Sequence, residues 1–202
     1  TIIGDAVPLV GIGHSAPVIL SERTERLQAL MTSFVVDYLL RQKLGGVNLT
    51  FNYFEQIAVP STNYAHRSIL QFADDPSSWI DERVVELFYT SGGLERFADG
   101  LAFEGAPFRW DEERRRLLRA ELDAAFFHLY GVERQDVDYV METFPIVKKK
   151  DVAAFGSYRT KELILEVYDA MTQAIHTGER YKTILDPPPG QGPRHPESSR
   201  SA

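Results

Sequence analysis

A long amphipathic helix near the start of the chain constrains the fold more than any other feature. Apolar residues recur at spacings of three and four from Leu27 to Leu39, which predicts a helix of about 20 residues with one buried stripe. Ser21 is a plausible N-cap, and Gly45 and Gly46 end the helix. Residues 47–51 then have strand propensity. The order of these signals predicts a helix associated with a sheet.

Further helices and strands are predicted from the spacing of apolar residues and from the positions of glycine and proline. Residues 7–12 and 18–20 read as short strands, because each is bounded by glycine or proline. Helices are predicted over residues 79–88, from Asp111 to Gly131, over 135–141 and over 158–175. We therefore expect an α+β fold in which several helices pack with small mixed β-sheets.

The chain divides into three parts by composition. Residues 1–70 hold the predicted strands and the long helix, and residues 71–186 are mainly helical and form a support domain. Residues 187–202 are rich in Pro, Gly and Ser, so we expect a disordered tail. The start lacks Met, which suggests a fragment of a longer protein.

The net charge of -7 argues against simple DNA binding, because phosphate contact needs a basic surface. The acidity is concentrated in the middle of the chain. Residues 71–143 carry eight basic and 17 acidic side chains, whereas residues 1–70 carry five of each and residues 144–202 carry nine basic and seven acidic. If the two ends contact DNA, the middle should face away from it.

Several kinds of chemistry find no support in the residues. There is no cysteine, and the five histidines show no paired spacing, so a structural metal is not expected. No lysine has an acid two residues before it, as the common metal-dependent nuclease core requires, and there is no Gly-x-Ser-x-Gly motif. No apolar run reaches roughly 18 residues, and the first residues have no basic stretch that leads into an apolar core of the kind found in signal peptides. We expect a cytoplasmic protein without a membrane span and without catalytic residues.

Two stretches resemble a known class of enzyme. One is residues 34–60, FVVDYLLRQKLGGVNLTFNYFEQIAVP, and the other begins FPIVKKKD at Phe144 and continues through YRTK to Met171. Both resemble the C-terminal target-recognition region of type II (type IIG) restriction-modification enzymes and of adenine-specific DNA methyltransferases of bacterial phage defence. Residues 8–17 also fit. The resemblance implies a target-recognition-domain-like fold and a non-catalytic fragment that reads double-stranded DNA.

The same resemblance implies what lies outside the fragment. A missing N-terminal methyltransferase domain would bind S-adenosylmethionine and methylate an adenine amino group, and a restriction endonuclease could also be fused to it. The fragment itself would hold no cofactor. Asp186-Pro187-Pro188-Pro189 imitates the methyltransferase motif but lacks the aromatic residue that stacks on the flipped base. Gly11-Ile12-Gly13 is only a fragment of a cofactor-binding glycine pattern.

The candidate DNA-binding residues lie at the ends of these stretches. Arginine and lysine can hold phosphates, and glutamine can pair with an adenine edge, while asparagine is a weaker candidate of the same kind. The candidates are Arg41, Gln42, Lys43, Asn48, Asn52, Lys148, Lys149, Lys150, Arg159 and Lys161. The lysine run is expected beside a loop. A solvated helix end and ordinary surface charge are the alternative interpretations of these residues.

A second function is open on the same evidence. The acidic middle favours a protein-interaction or scaffold domain of a phage-defence complex, which would bind a partner protein instead of DNA. A contiguous positive strip that joins Arg41, Lys43 and Lys148 to Lys150 is required for DNA binding and unnecessary for the alternative.

Overall fold

The computed structural model describes residues 24–44, 51–60 and 72–199. Two 3-10 turns, Gly92–Leu94 and Glu197–Ser199, accompany the helices. In chain order the helices of these ranges are α1 (Thr24–Met31), α2 (Phe34–Lys43), α3 (Phe51–Phe54), α4 (Pro76–Phe88), α5 (Glu95–Gly100), α6 (Glu112–Leu129), α7 (Arg134–Glu142), α8 (Pro145–Phe155) and α9 (Arg159–Thr177).

The fold is a helical, bundle-like arrangement, so the predicted α+β, target-recognition-domain-like fold with small mixed β-sheets is wrong. Within the described ranges the sole β pairing is an isolated bridge between Phe108 and Arg194. Phe51, predicted as the end of a strand, begins α3. Residues 47–50, 7–12 and 18–20, which carry the other strand predictions, lie outside the described residues. Local strand propensity was a poor guide at Phe51, because packing context overrides it.

The predicted long helix is two helices. α1 ends at Met31 and α2 begins at Phe34. Between them, the Ser33 hydroxyl donates to the carbonyl oxygen of Leu30 at 2.6 Å and accepts from the backbone N–H of Val36 at 3.5 Å. Serine side chains compete with the helix for backbone groups in this way and favour the N-cap position. The chain therefore turns at Ser33 while the apolar spacing continues through it.

α6 and α9 form the centre of the bundle and share its most extensive helix contact. α4 packs on α6, α7 and α8 pack on α9, α1 packs on α4, and α2 contacts both α6 and α7. The centre is filled by fully buried apolar side chains such as Phe127, Ile164 and Met171. Burial of apolar faces that repeat every three to four residues is the main source of helix stability here.

The predicted helices of the second half are confirmed, with small shifts at their ends. The Asp111 side chain caps α6 by accepting from the backbone N–H of Arg114 at 2.9 Å. α9 ends before Gly178, whose φ of 73° is a left-handed conformation that favours glycine. α4 starts at Pro76, earlier than predicted, because Asp75 supplies the cap.

The segment from Pro187 to Ser199, for which composition predicted a disordered tail, packs against the helices. Arg114 donates to the carbonyl oxygens of Pro187 and Pro188 at 2.7 and 3.1 Å, and Glu86 accepts from the backbone N–H of Gly190 at 2.8 Å. These side chains of α4 and α6 pair with backbone groups of a segment that is largely outside helices and sheets. Composition does not reveal such partners.

Candidate nucleic-acid interface

The two stretches that carry the resemblance meet in space. Arg41, in the last turn of α2, donates to the carbonyl oxygen of Thr143 at 3.2 Å, and its guanidinium carbon lies 4.1 Å from the ring centroid of Phe144. Phe34, at the other end of α2, packs edge-on against the same ring at a centroid distance of 4.7 Å. Phe144 directly precedes α8, so this contact places the end of α2 beside the start of α8.

Several of the predicted cations lie on the helices that adjoin this junction. We use the name basic corner for the surface formed by Arg41, Lys43, Lys148, Lys149, Lys150 and Lys161. Lys161 belongs to it because its ammonium group contacts Glu142, at the end of α7, together with that of Lys148. The basic corner therefore joins residues that are more than 100 positions apart in the sequence.

Carboxylates neutralise half of the basic corner. Hydrogen bonds from Lys148 and then Lys161 lower the pKa of Glu142 to about 2, so this group stays ionised at neutral pH. The positive surface is therefore interrupted by negative charge. The ion pairs are Arg41 with Asp37 at 2.9 Å, Lys148 with Glu142 at 2.7 Å, and Lys161 with Glu142 at 2.6 Å and Asp138 at 2.8 Å.

The remaining three cations are open to a ligand. Lys43 donates to the carbonyl oxygen of Gln56 at 2.7 Å, which leaves its charge without a carboxylate. Lys149 and Lys150 are exposed, and no carboxylate of the described residues forms an ion pair with either. Adjacent lysines with unmatched charge are suited to phosphate contact.

The lysine run lies on a helix, α8, and the expectation of a loop is wrong. Pro145 occupies the first turn of α8, and Gly156, with φ of 81°, ends it. Asp151 is the one buried residue of this helix, and its carboxylate accepts from the backbone N–H of Thr160 at 2.6 Å. α8 thus contacts the rest of the bundle along one side and at its ends, and most of its surface is exposed.

The other predicted residues do not all join the basic corner. Arg159 pairs with Glu113 and lies 4.9 Å from the Phe155 ring centroid, at the far end of α8. Gln42 is exposed at the end of α2. Asn52 is exposed on α3. Asn48 lies outside the described residues.

Sequence reasoning missed the exposed aliphatic side chains of α8. Ile146 is 70% exposed, the highest value among the large apolar residues of the described ranges, and Val152 is 45% exposed. Proline at the start of an 11-residue span and glycine directly after it were the available signals for a helix. The exposure of these side chains could not be predicted from the sequence, since it depends on how the other helices pack.

The described residues contain two shallow concavities, of about 390 and 230 Å³, away from the basic corner. The larger one is lined by Arg26, which pairs with Asp81, and by Glu82, whose pKa is raised mainly by burial. No histidine lines either concavity, and no group of three or more His, Asp or Glu in this part of the chain could hold a metal ion. Neither concavity presents a catalytic arrangement comparable to a nucleophile with its base.

No protein-family model, curated protein or solved structure matches this chain. The resemblance to restriction-modification enzymes and DNA methyltransferases therefore stays a prediction. In the described ranges, no helix is long and apolar enough to cross a membrane.

Proposed function

We propose that this chain is the non-catalytic DNA target-recognition part of a site-specific adenine DNA methyltransferase or restriction-modification enzyme. The observation that carries the proposal is the contact of α2 with the start of α8. It brings Arg41 and Phe34, from the first stretch of the resemblance, against Phe144 at the start of the second, and predicted cations lie on both of the stretches that meet there.

The basic corner would hold the phosphate backbone of duplex DNA. Lys149 and Lys150 would make the first contacts, because no described carboxylate competes for them. Lys43 could join them by leaving the carbonyl oxygen of Gln56, since an ammonium–phosphate contact is charge-assisted on both sides. The ion-paired cations would keep the surface rigid instead of binding phosphate themselves.

Methyl transfer would belong to another part of the enzyme. That part, the N-terminal methyltransferase domain of the resemblance, would hold S-adenosylmethionine and would be the protein partner of this chain. The acidic side chains of α4 and α5 would then face the methyltransferase domain or solvent and not the DNA, since carboxylates repel phosphate. Asp138 and Glu142 of α7 instead lie within the basic corner, where they pair with its lysines. Such an enzyme would work in the cytoplasm, where its DNA substrate is found.

The test is a titration of the 202-residue chain with mixed-sequence duplex DNA at low and moderate salt. The double variant Lys149→Ala/Lys150→Ala should lose affinity about 10-fold or more at low salt, because two phosphate contacts disappear. The matched control is Arg96→Ala/Lys182→Ala, which removes the same charge from exposed positions on α5 and after α9. Equal affinity of both variants, or absence of salt-sensitive binding by the parent chain, would refute the proposal.

A protein-interaction or scaffold function in a phage-defence complex is the second candidate. It is favoured by the carboxylates that neutralise Arg41, Lys148 and Lys161, and by the exposed aliphatic side chains of α8. Exposed apolar surface beside charge often marks a protein contact. Absence of DNA binding in the titration would move the assignment to this function.

A further inference from the structure

We infer that α8 is the helix that enters the major groove, where Ile146 contacts thymine methyl groups. This inference rests on the proposed function and deepens it. It names the element that meets the bases and the chemical group that it reads.

The order of side chains around α8 supports this orientation. At about 100° per residue, Ile146 and Ala153 lie within roughly 20° of each other on the helix surface. Lys149 is displaced by about 50° to one side of their midline and Lys150 by about 50° to the other. All four residues are exposed, whereas the buried Asp151 and half-buried Val147 lie toward the opposite side. The outward face thus has an apolar centre and a lysine on each edge.

This pattern matches the shape and charge of a major groove. The groove is about 12 Å wide and admits one α-helix, with phosphates along both walls. When the apolar line of α8 faces the base edges, Lys149 and Lys150 point toward opposite walls. α8 is 11 residues long, or about 16 Å, which is enough to cross the groove floor.

In this orientation the exposed Ile146 side chain would face the base edges. It cannot donate or accept a hydrogen bond, so hydrogen-bonding groups of the bases gain nothing from it. The C5-methyl group of thymine is the apolar feature of the major groove, and aliphatic side chains contact it. Lysine contacts with phosphate would position the helix, and the isoleucine would favour thymine over bases without a methyl group.

The experiment compares two alternating duplexes, dA-dT and dA-dU, which differ in the major groove by the thymine methyl group. The 202-residue chain should bind the dA-dT duplex about fourfold more tightly for each methyl group contacted. Ile146→Ala should bind both duplexes with nearly equal affinity. Ile184→Ala is the matched control, since Ile184 is 38% exposed and lies outside α8, and it should keep the preference.

Each outcome separates this inference from the proposed function. Equal affinity of the parent chain for both duplexes, or a preference that survives Ile146→Ala, would overturn the groove assignment while DNA binding by the lysines stood. Failure to bind either duplex at low salt would overturn the proposed function and this inference together.

Discussion

At the scale of single residues, Glu121 organises a buried polar cluster. It is fully buried on α6 and accepts from Arg83 of α4 at 2.7 Å. It also accepts from the Tyr181 hydroxyl at 2.8 Å, the Thr183 hydroxyl at 2.7 Å and the backbone N–H of Ile184 at 2.9 Å. One carboxylate therefore joins α4, α6 and the segment after α9.

We predict that Glu121→Leu lowers the free energy of unfolding by about 3 kcal/mol or more, since it leaves the buried Arg83 cation without its partner. Glu113→Leu, which removes an exposed carboxylate paired with Arg116 and Arg159, should cost about 1 kcal/mol or less. Urea denaturation followed by circular dichroism measures both. Comparable losses in the two variants would contradict the role given to Glu121.

The buried carboxyl group of Asp123 is expected to make the stability of the protein depend on pH. Burial raises the pKa of Asp123 to about 7, although its hydrogen bond from the Phe34 N–H and the nearby Arg119 oppose the shift. The folded state therefore binds a proton more tightly than the unfolded state. The contribution of Asp123 to stability is full below about pH 4 and declines as the pH rises toward about 7.

Asp123→Asn should remove this pH dependence of stability. The amide oxygen of the asparagine can still accept from the Phe34 N–H, but the amide does not ionise. The variant should gain stability relative to the parent chain as the pH increases from 4 to 8. Denaturant unfolding at several pH values checks this. A stability difference that stays constant across this range would show that Asp123 does not titrate in the folded protein.

At the scale of elements, the segment from Pro187 to Ser199, which we call the strap, packs across α4 and α6. Removal of residues 187–202 should lower the free energy of unfolding by about 2 kcal/mol, because it deletes the hydrogen bonds of Arg114 and Glu86 to this strap. A shorter truncation, in which the chain ends at Pro196, keeps these contacts and should have little effect on the free energy of unfolding. If thermal unfolding shows no difference between the two truncations, the strap does not stabilise the bundle.

The elements that sequence predicted well combine strong periodicity with a recognisable cap. α6 follows Asp111 and α9 stops before Gly178, and both have apolar stripes that run over many turns. The break at Ser33 was missed because the periodicity of apolar residues does not change there. α8 was missed because apolar residues and lysines are both exposed on it, so its sequence does not separate an apolar side from a polar side.

At the scale of the whole molecule, the fold class could not be obtained from local signals. Strand propensity near Phe51 suggested a sheet, yet the described residues pack as helices around α6 and α9. Whether a short apolar run becomes a strand depends on pairing partners elsewhere in the chain, and periodicity does not identify them. The helices could be predicted one by one, but their mutual packing could not.

The candidate interface was predictable as a set of residues and not as a surface. Arg41 and Lys148 were identified from separate stretches, and the Phe144 contact that unites those stretches depends on tertiary packing. The partners that neutralise them, Asp37 and Glu142, were not predicted. At helical spacings many acids could pair with each cation, so only the folded arrangement selects among them.

The salt dependence of duplex binding reports directly on phosphate contact by Lys149 and Lys150. For each phosphate contact the slope of log affinity against log salt concentration changes by about 0.9. We predict that Lys149→Ala/Lys150→Ala flattens this slope by about two, while Arg96→Ala/Lys182→Ala leaves it unchanged. Equal slopes for the parent chain and both variants, or no binding at low salt, would contradict DNA contact by the basic corner.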